Sequence, residues 1–191
     1  MGSLNGSKRR KNIDNMFIHL LAGSLIFLLL GNYFGIEINR GYILLGAFFG
    51  LLPDVISYGL SRTAKLNKWA HMHRDNFSHS VFFPLIILLV AIVFESQLAI
   101  LASLAMLTHP FCDLYGIGWG VKLFYPLSDK SYKLFYDGKF LSVWNSKEVS
   151  VEVQKSGDDH WIKNIYFRPN IVGAIEWGSL VGFLVVLFLT K

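Results

Sequence analysis

Histidines and carboxylates recur beside the apolar segments of this 191-residue chain, and both are residue types that bind divalent metals. Neutral imidazole and carboxylate groups are good ligands for zinc, manganese or iron. Ionisable groups within or beside apolar segments are costly and usually mark function. The residues concerned are His19, Asp54, His71, His73, His79, His109, Asp113 and Glu176. Their convergence at one depth is the main functional indication in the sequence.

The sequence His109-Pro110-Phe111-Cys112-Asp113 contains an HxxxD pair. Side chains four residues apart share one face of a helix, so His109 and Asp113 can bind the same ion. Pro110 disturbs this turn, and we expect the pair to lie on a kink. By itself, the pair is as compatible with a structural hydrogen bond as with a metal site.

A second group of polar residues precedes the third apolar segment. His73 and His79 are six residues apart and would point to different faces of one straight helix. They can meet only if the turn-forming residues between them bend the chain. Arg74 could hold a phosphate or pair with a site carboxylate. We predict His73 and His79 as metal ligands and His71 as an ordinary surface histidine.

Three further residues complete the candidate site. Pro53 can break the helix at the end of the second segment, so we expect an irregular turn to present Asp54 as a ligand or general base. His19 lies in an apolar helix and is predicted as a ligand. Glu176 also lies in an apolar segment, where a carboxylate needs a partner or a proton. We place Glu176 with Asp54 and Arg74 among the candidate catalytic residues.

Apolar segments must position these residues. The chain is 53% hydrophobic and 16% charged, with a mean hydropathy of +0.43, which is more apolar than a typical soluble domain. Several segments approach the ~20 residues that cross a bilayer. The five segments span about residues 16–34, 41–60, 80–94, 98–112 and 171–190. We predict an all-α polytopic membrane protein with about five transmembrane helices, the short third and fourth forming a hairpin.

A small β-rich insert is predicted before the last helix. Residues 139–143 and 149–153 alternate between apolar and polar types, and residues 161–167 follow a second turn. This pattern favours an antiparallel meander on the cytoplasmic face. The predicted organisation is a basic cytoplasmic tail at 1–15, a four-helix membrane core carrying the metal site at 16–126, the meander at 127–170 and the last transmembrane helix at 171–191.

The basic residues predict the orientation. All but two of the 18 lysines and arginines lie in three regions that share one side of a five-span protein; the exceptions are Arg40 and Lys191. Cytoplasmic loops are enriched in these residues, so we place the N-terminus and the site in the cytoplasm. The net charge of +5 is explained by these loops, and we expect no nucleic-acid partner. The single cysteine excludes an intrachain disulfide.

Together these motifs resemble the YdjM-type family of inner-membrane proteins, often described as membrane-bound metal-dependent hydrolases. The resemblance covers about residues 15–126, roughly two thirds of the chain. The matching residues are His19, Leu52-Pro53-Asp54, His73-Arg74, His79-Ser80, His109 to Asp113, Gly116 and Pro126. The resemblance implies a helical membrane bundle with a metal centre.

Two positions depart from the family pattern. Ile56 stands where a second aspartate often follows the LPD motif, and four residues separate Arg74 from His79, one more than is common. Loss of the second carboxylate implies one metal ion rather than two, or a ligand supplied by Glu176 or Asp75.

The preferred interpretation is a metal-dependent hydrolase at the cytoplasmic membrane face. Its divalent ion would be zinc, with manganese or iron as alternatives, and would activate a water. The proposed substrate is a phosphoester of a membrane lipid or another anionic amphiphile, steadied by Arg74 and the glycine-rich residues 116–120. The alternatives are a metal-ion transporter or sensor, and a structural membrane protein whose polar cluster joins the helices. The oligomeric state is left open.

Overall fold

The computed structural model of the chain describes residues 16–61, 73–115, 119–156, 163, 166–167 and 169–191, and the fold is mostly helical. The helix bounds agree with the predicted apolar segments to within a few residues, and a further short helix, α5, lies between the fourth and fifth segments. The helices are α1 (Met16–Gly31), α2 (Arg40–Ser61), α3 (Phe82–Val93), α4 (Gln97–Leu114), α5 (Ser146–Ser156) and α6 (Ile171–Leu189).

Three helices, α2, α4 and α6, are long and apolar enough to cross a membrane by length and composition. The other two apolar helices are shorter, with 16 residues in α1 and 12 in α3. At a rise of ~1.5 Å per residue, α3 extends about 18 Å, less than the ~30 Å of a hydrocarbon core. The candidate spans therefore number three in the described part of the chain, and five spans stay a prediction.

Glycines allow α1 and α2 to approach closely. Gly23 of α1 faces Gly46 and Gly50 of α2, and a Cβ atom on any of the three would collide with the main chain of the other helix. Small residues four positions apart permit such contacts between membrane helices. The contact places Gly50 against the carbonyl oxygen of His19. The first two helices therefore meet close to the predicted site residues His19 and Asp54.

Helices α4 and α6 also pack against α1, and α3 packs against α4. Phe27 of α1 is fully buried against Leu101 and Ala105 of α4. In contrast, Leu89 and Val93 of α3 are 64% and 77% exposed. An apolar outer face of this kind is expected where lipid covers the helix.

Pro53 lies inside α2, which continues to Ser61, so the expectation of an irregular turn at Asp54 is wrong. Membrane helices tolerate an internal proline when neighbouring groups satisfy nearby carbonyls. Pro53 removes the N–H that would bond the carbonyl of Phe49. The carbonyl oxygen of Gly50 accepts from His109 Nδ1 at 2.8 Å, and that of Pro53 accepts from Ser78 Oγ at 3.1 Å, so other elements bond the main chain on both sides of this turn. Asp54 therefore extends from the wall of a helix.

A two-stranded antiparallel hairpin follows α4. Its strands are β1 (Ser131–Tyr136) and β2 (Lys139–Trp144), with Lys133 opposite Ser142. The second strand includes the strand predicted at 139–143. Val121 pairs with Tyr132 and extends the contact toward the end of α4. The hairpin therefore packs beside the fourth helix.

The strand predicted at 149–153 is wrong, because these residues belong to α5. Asn145 Oδ1 accepts from the main-chain N–H groups of Lys147 and Glu148, and Glu148 Oε2 accepts from Asn145 N at 2.8 Å. This reciprocal capping box favours a helix start. The third predicted strand, at 161–167, lies mostly outside the described residues.

Candidate metal centre

Four elements bring five of the predicted ligands together. His19 comes from α1, Asp54 from α2, His79 from a 3₁₀ turn (Phe77–His79), and His109 and Asp113 from α4. Two groups of three have ligand atoms within 4.8 Å of one another: His19, Asp54 and His109, and His79, His109 and Asp113. Both groups include His109. The chain therefore concentrates imidazoles and carboxylates at one point in the helical bundle.

The Nε2 atoms of two histidines face both carboxylates. His79 Nε2 lies 3.1 Å from Asp54 Oδ1 and 3.8 Å from Asp113 Oδ2. His109 Nε2 lies 3.5 Å from each of the same two oxygens. Tetrahedral ligands at ~2.1 Å from zinc are separated by about 3.4 Å. The spacing of these four atoms is therefore close to that of ligands sharing one ion.

The orientation of His109 is fixed by its other ring nitrogen. Its Nδ1 lies 2.8 Å from the carbonyl oxygen of Gly50. A carbonyl only accepts, so Nδ1 carries the hydrogen and the neutral ring presents a lone pair at Nε2. A hydrogen bond of this kind to a backbone carbonyl commonly orients a metal-binding histidine.

His79 is oriented in the same sense by a hydroxyl group. Ser78 Oγ donates its single hydrogen to the carbonyl oxygen of Pro53 at 3.1 Å. The hydroxyl oxygen therefore accepts from His79 Nδ1, which lies 3.2 Å away. His79 Nε2 then faces the carboxylates, where it binds an ion through its lone pair or, when protonated, donates to Asp54 Oδ1 at 3.1 Å.

Two atoms at the middle of the centre lack hydrogen-bond partners. His109 Nε2 and Asp113 Oδ2 are both buried, and neither forms a hydrogen bond with a described residue. Two atoms bearing lone pairs at 3.5 Å repel each other unless a proton or a cation lies between them. The donor set and its orphaned atoms therefore fit a divalent metal ion.

His19 completes the ring of imidazoles. Its ring stacks on that of His109 with centroids 3.8 Å apart, and the ring of His79 meets His109 edge-on at 4.8 Å. His19 Nε2 lies 3.6 Å from Asp113 Oδ1. The three imidazoles therefore lie close to the two carboxylates, and metal binding by these residues stays a prediction.

Arg74 adopts one of its two predicted roles. The side chain is 3% exposed, and its Nη2 lies 3.4 Å from Asp113 Oδ1. Nη1 donates to the carbonyl oxygen of Trp119 at 2.9 Å. The guanidinium therefore pairs with a site carboxylate and holds the segment that leads into the hairpin.

Glu176 makes its described contacts at the start of α1. Its Oε2 accepts from Phe17 N at 2.8 Å and from the hydroxyl of Tyr166 at 3.2 Å. A carboxylate at this end of a helix is favoured by the exposed N–H groups and the helix dipole. Neither group of closely spaced ligands includes Glu176. Its catalytic role stays a prediction.

The other candidate positions are only partly described. The side chain of His73 and all of His71 lie outside the described residues, as do residues 116–118 of the glycine-rich loop. Asp75, the second possible replacement carboxylate, pairs with Lys122 at 3.2 Å. Ligation by His73 therefore stays a prediction, and Asp75 belongs to an ion pair.

The structure adds Lys133, which sequence reasoning missed. This residue of β1 is fully buried, and its Nζ donates to the carbonyl oxygens of Asp113 and Tyr115, both at 3.1 Å. In the sequence it is one of many lysines after the fourth segment. The alternation of Ser131 and Lys133 on one strand face could have marked it only if the hairpin position were known.

Comparison with known proteins identifies a family for this arrangement. A family model described as YdjM inner membrane protein matches residues 14–190, which include all five converging residues. No curated protein and no solved structure matches the chain significantly.

Proposed function

The chain belongs to the YdjM inner membrane protein family, and on this premise we propose that it is a membrane-embedded, divalent-metal-dependent hydrolase. The observation that carries the proposal is the pair of oriented histidines, His79 and His109, whose Nε2 atoms face two carboxylates. A purely structural network would be expected to pair each buried atom with a donor or acceptor. The orphaned His109 Nε2 and Asp113 Oδ2 instead favour a bound cation.

Because both groups of closely spaced ligands include His109, the centre favours one ion rather than two. His79, His109 and Asp113 would hold it, with His19 and Asp54 completing the set. Zinc is our preferred ion, and the same nitrogen and oxygen donors suit manganese or iron. When bound, such an ion lowers the pKa of a water molecule to ~7 and supplies hydroxide at neutral pH.

Asp54 is the residue that we assign to proton transfer. Its side chain is 14% exposed, whereas those of His79 and Asp113 are 0% and 2% exposed. Water and substrate therefore reach Asp54 before the other carboxylate. Its Oδ1 lies 3.1 Å from His79 Nε2, which places the carboxylate at the edge of the centre. A carboxylate in this position can accept a proton from an incoming water.

The charges of the centre favour an anionic substrate. Asp54 and Asp113 are balanced by Arg74 and Lys133, two buried cations that contact Asp113. A divalent ion would then give this group of residues an excess of positive charge in a low-dielectric setting. A phosphoester would neutralise the excess. We therefore propose a phosphoester as the bond that is cleaved.

The depth of the centre favours a lipid or another amphiphile. Asp54 lies about 21 Å along α2 from Arg40, so the centre lies toward one end of the helices. The distribution of lysine and arginine supports the proposal that this end faces the cytoplasm. A phosphoester at headgroup depth would reach the centre from the membrane surface.

Metal content tests the first part of the proposal. The full chain is purified in detergent and analysed by elemental mass spectrometry as wild type, His109→Ala and His160→Ala. The last variant is the control, because His160 is not among the candidate site residues. We expect near-stoichiometric zinc, manganese or iron in the wild type and in His160→Ala, and its loss in His109→Ala. The absence of metal from the wild type, even after reloading, would contradict the proposal.

Turnover tests the second part. Metal-loaded protein is incubated with vesicles that contain fluorescent phospholipids, and phosphoester cleavage is measured. Loss of a general base typically lowers the rate about 10²–10⁴-fold, and we expect a loss of this size in Asp54→Asn with the fold retained. Metal flux into sealed vesicles without cleavage of any phosphoester would instead support a carrier and contradict the hydrolase.

A further inference from the structure

We propose that Lys133 is a positioning residue of the metal centre and that it acts through the main chain of Asp113. The inference rests on the proposed function, because it requires that Asp113 binds an ion. The Nζ of Lys133 donates to main-chain carbonyl oxygens. It lies on the hairpin, and it contacts the point at which α4 ends.

The main chain changes direction immediately after Asp113. Helix α4 ends at Leu114, and Tyr115 is extended, with φ −95° and ψ 159°. The last carbonyl groups of a helix have no partner within it, and a helix end frays unless something holds it. Asp113, which we propose as a metal ligand, therefore lies on the last turn of its helix.

Lys133 constrains the main chain at the end of α4. Its Nζ donates to the carbonyl oxygen of Asp113 and to that of Tyr115, each at 3.1 Å. The two carbonyls flank Leu114, so one ammonium group fixes the main chain on both sides of the helix end. A cation at a helix C-terminus is also favoured by the helix dipole.

Arg74 constrains the same aspartate at its other end. Its Nη2 lies 3.4 Å from Asp113 Oδ1. With the main chain fixed by Lys133 and Oδ1 paired with Arg74, Oδ2 is directed at His109 Nε2, 3.5 Å away. The position of this ligand atom therefore depends on both cations.

Burial of Lys133 would be costly without such a purpose. The residue is 0% exposed, and a buried ammonium group destabilises a protein unless it is fully bonded. The helix end could be completed by water or by a C-terminal glycine. A lysine that reaches it from a strand instead makes the whole hairpin part of the centre.

Zinc affinity measured by competition with a chromophoric chelator tests this inference on the full chain in detergent. Loss of a group that orients a ligand typically lowers metal affinity about 10–100-fold, and we expect a loss of this size in Lys133→Met. Lys139→Met is the matched control, because it makes the same change at an exposed position of the same hairpin. Lys133→Arg keeps a cation and N–H donors and should retain most of the affinity.

A double-mutant cycle with Asp113→Asn separates positioning from general stability. If Lys133 acts through Asp113, Lys133→Met should weaken zinc binding in the wild type and have little further effect in Asp113→Asn. The visible spectrum of the Co²⁺-loaded protein should change in Lys133→Met and stay unchanged in Lys139→Met. Equal additional losses in both backgrounds would overturn the inference.

The outcomes for the two proposals are distinguishable. A wild type that binds none of zinc, manganese and iron would refute the proposed function. A wild type that binds zinc, together with an equally tight Lys133→Met, would refute only the role of Lys133. Failure of both Lys133→Met and Lys133→Arg to fold would also overturn the inference, because it would show a structural requirement at this position.

Discussion

At the scale of single residues, the hydrogen bonds of Nδ1 in His79 and His109 determine what the centre can bind, because they orient the Nε2 atoms. His109 is oriented by a main-chain carbonyl, which no substitution removes directly. His79 is oriented by the hydroxyl of Ser78, which also bonds the carbonyl of Pro53. Without that hydroxyl, the ring of His79 could change tautomer and turn its lone pair away from the carboxylates.

We therefore predict that Ser78→Ala weakens zinc binding by about 10-fold, the lower part of the range for groups that orient ligands. Ser80→Ala is the control, because Ser80 is equally buried and its hydroxyl donates to Phe77 instead. Each change removes one hydrogen bond, worth about 1 kcal/mol in stability. Chelator competition and thermal unfolding measure the two effects. Equal zinc affinities in the two variants would contradict the orienting role of Ser78.

At the scale of secondary-structure elements, the close contact of α1 with α2 sets the distance between ligands. Gly50 lies against the carbonyl oxygen of His19, and its own carbonyl accepts from His109. One glycine therefore joins three helices at the depth of the centre. A side chain at this position would push α1 away from α2 and separate His19 from the other ligands.

Gly50→Ala is predicted to destabilise the protein by about 1–3 kcal/mol, as overpacking typically does, and to lower its metal content. Gly59→Ala is the matched control on the same helix, since a Cβ atom there meets nothing within 4 Å. Thermal unfolding and elemental mass spectrometry on both variants provide the comparison. Normal metal content and stability in Gly50→Ala would show that the helices can separate without affecting the centre.

Hydrophobicity was sufficient to predict the apolar helices, and the HxxxD spacing was sufficient to bring His109 and Asp113 to one face. Pro53 was misleading, because α2 stays helical through the proline while it packs against α1 and α4, and this packing is not visible in the local sequence. The capping box at Asn145 and Glu148 was present in the sequence and predicts α5 better than the alternating valines do. Lys133 could not be identified, because its burial depends on how the hairpin packs.

At the scale of the whole molecule, the two ends of the bundle differ in character. At one end, Arg40 of α2 donates to the carbonyl oxygen of Thr190 at 3.0 Å and joins α2 to the end of α6. At the other end lie the metal-type ligands, the buried Glu176 and an aromatic group of Phe17, Tyr166 and Trp177. Aromatic residues of this kind are enriched at membrane interfaces. The polarity of the bundle therefore supports a site at one membrane face.

Cysteine labelling tests which face this is. In a Cys112→Ser background, Asn32→Cys in the α1–α2 loop and Ser150→Cys in α5 both introduce exposed thiols. A membrane-impermeant maleimide should label Asn32→Cys in intact spheroplasts and Ser150→Cys only after permeabilisation. The opposite pattern would place the centre on the outer face and contradict the cytoplasmic assignment.

The ligands of the centre are far apart in the order of synthesis. His19 leaves the ribosome long before His109, and Lys133 follows only after α4 is complete. His19 and Asp54 must therefore enter the bilayer before most of their partners exist, which is costly for a group inserted singly. The centre can form only after α4 and the hairpin have emerged, so any binding of an ion by these residues would come late in synthesis. Biogenesis of this protein is thus expected to pass through a membrane-inserted, metal-free intermediate.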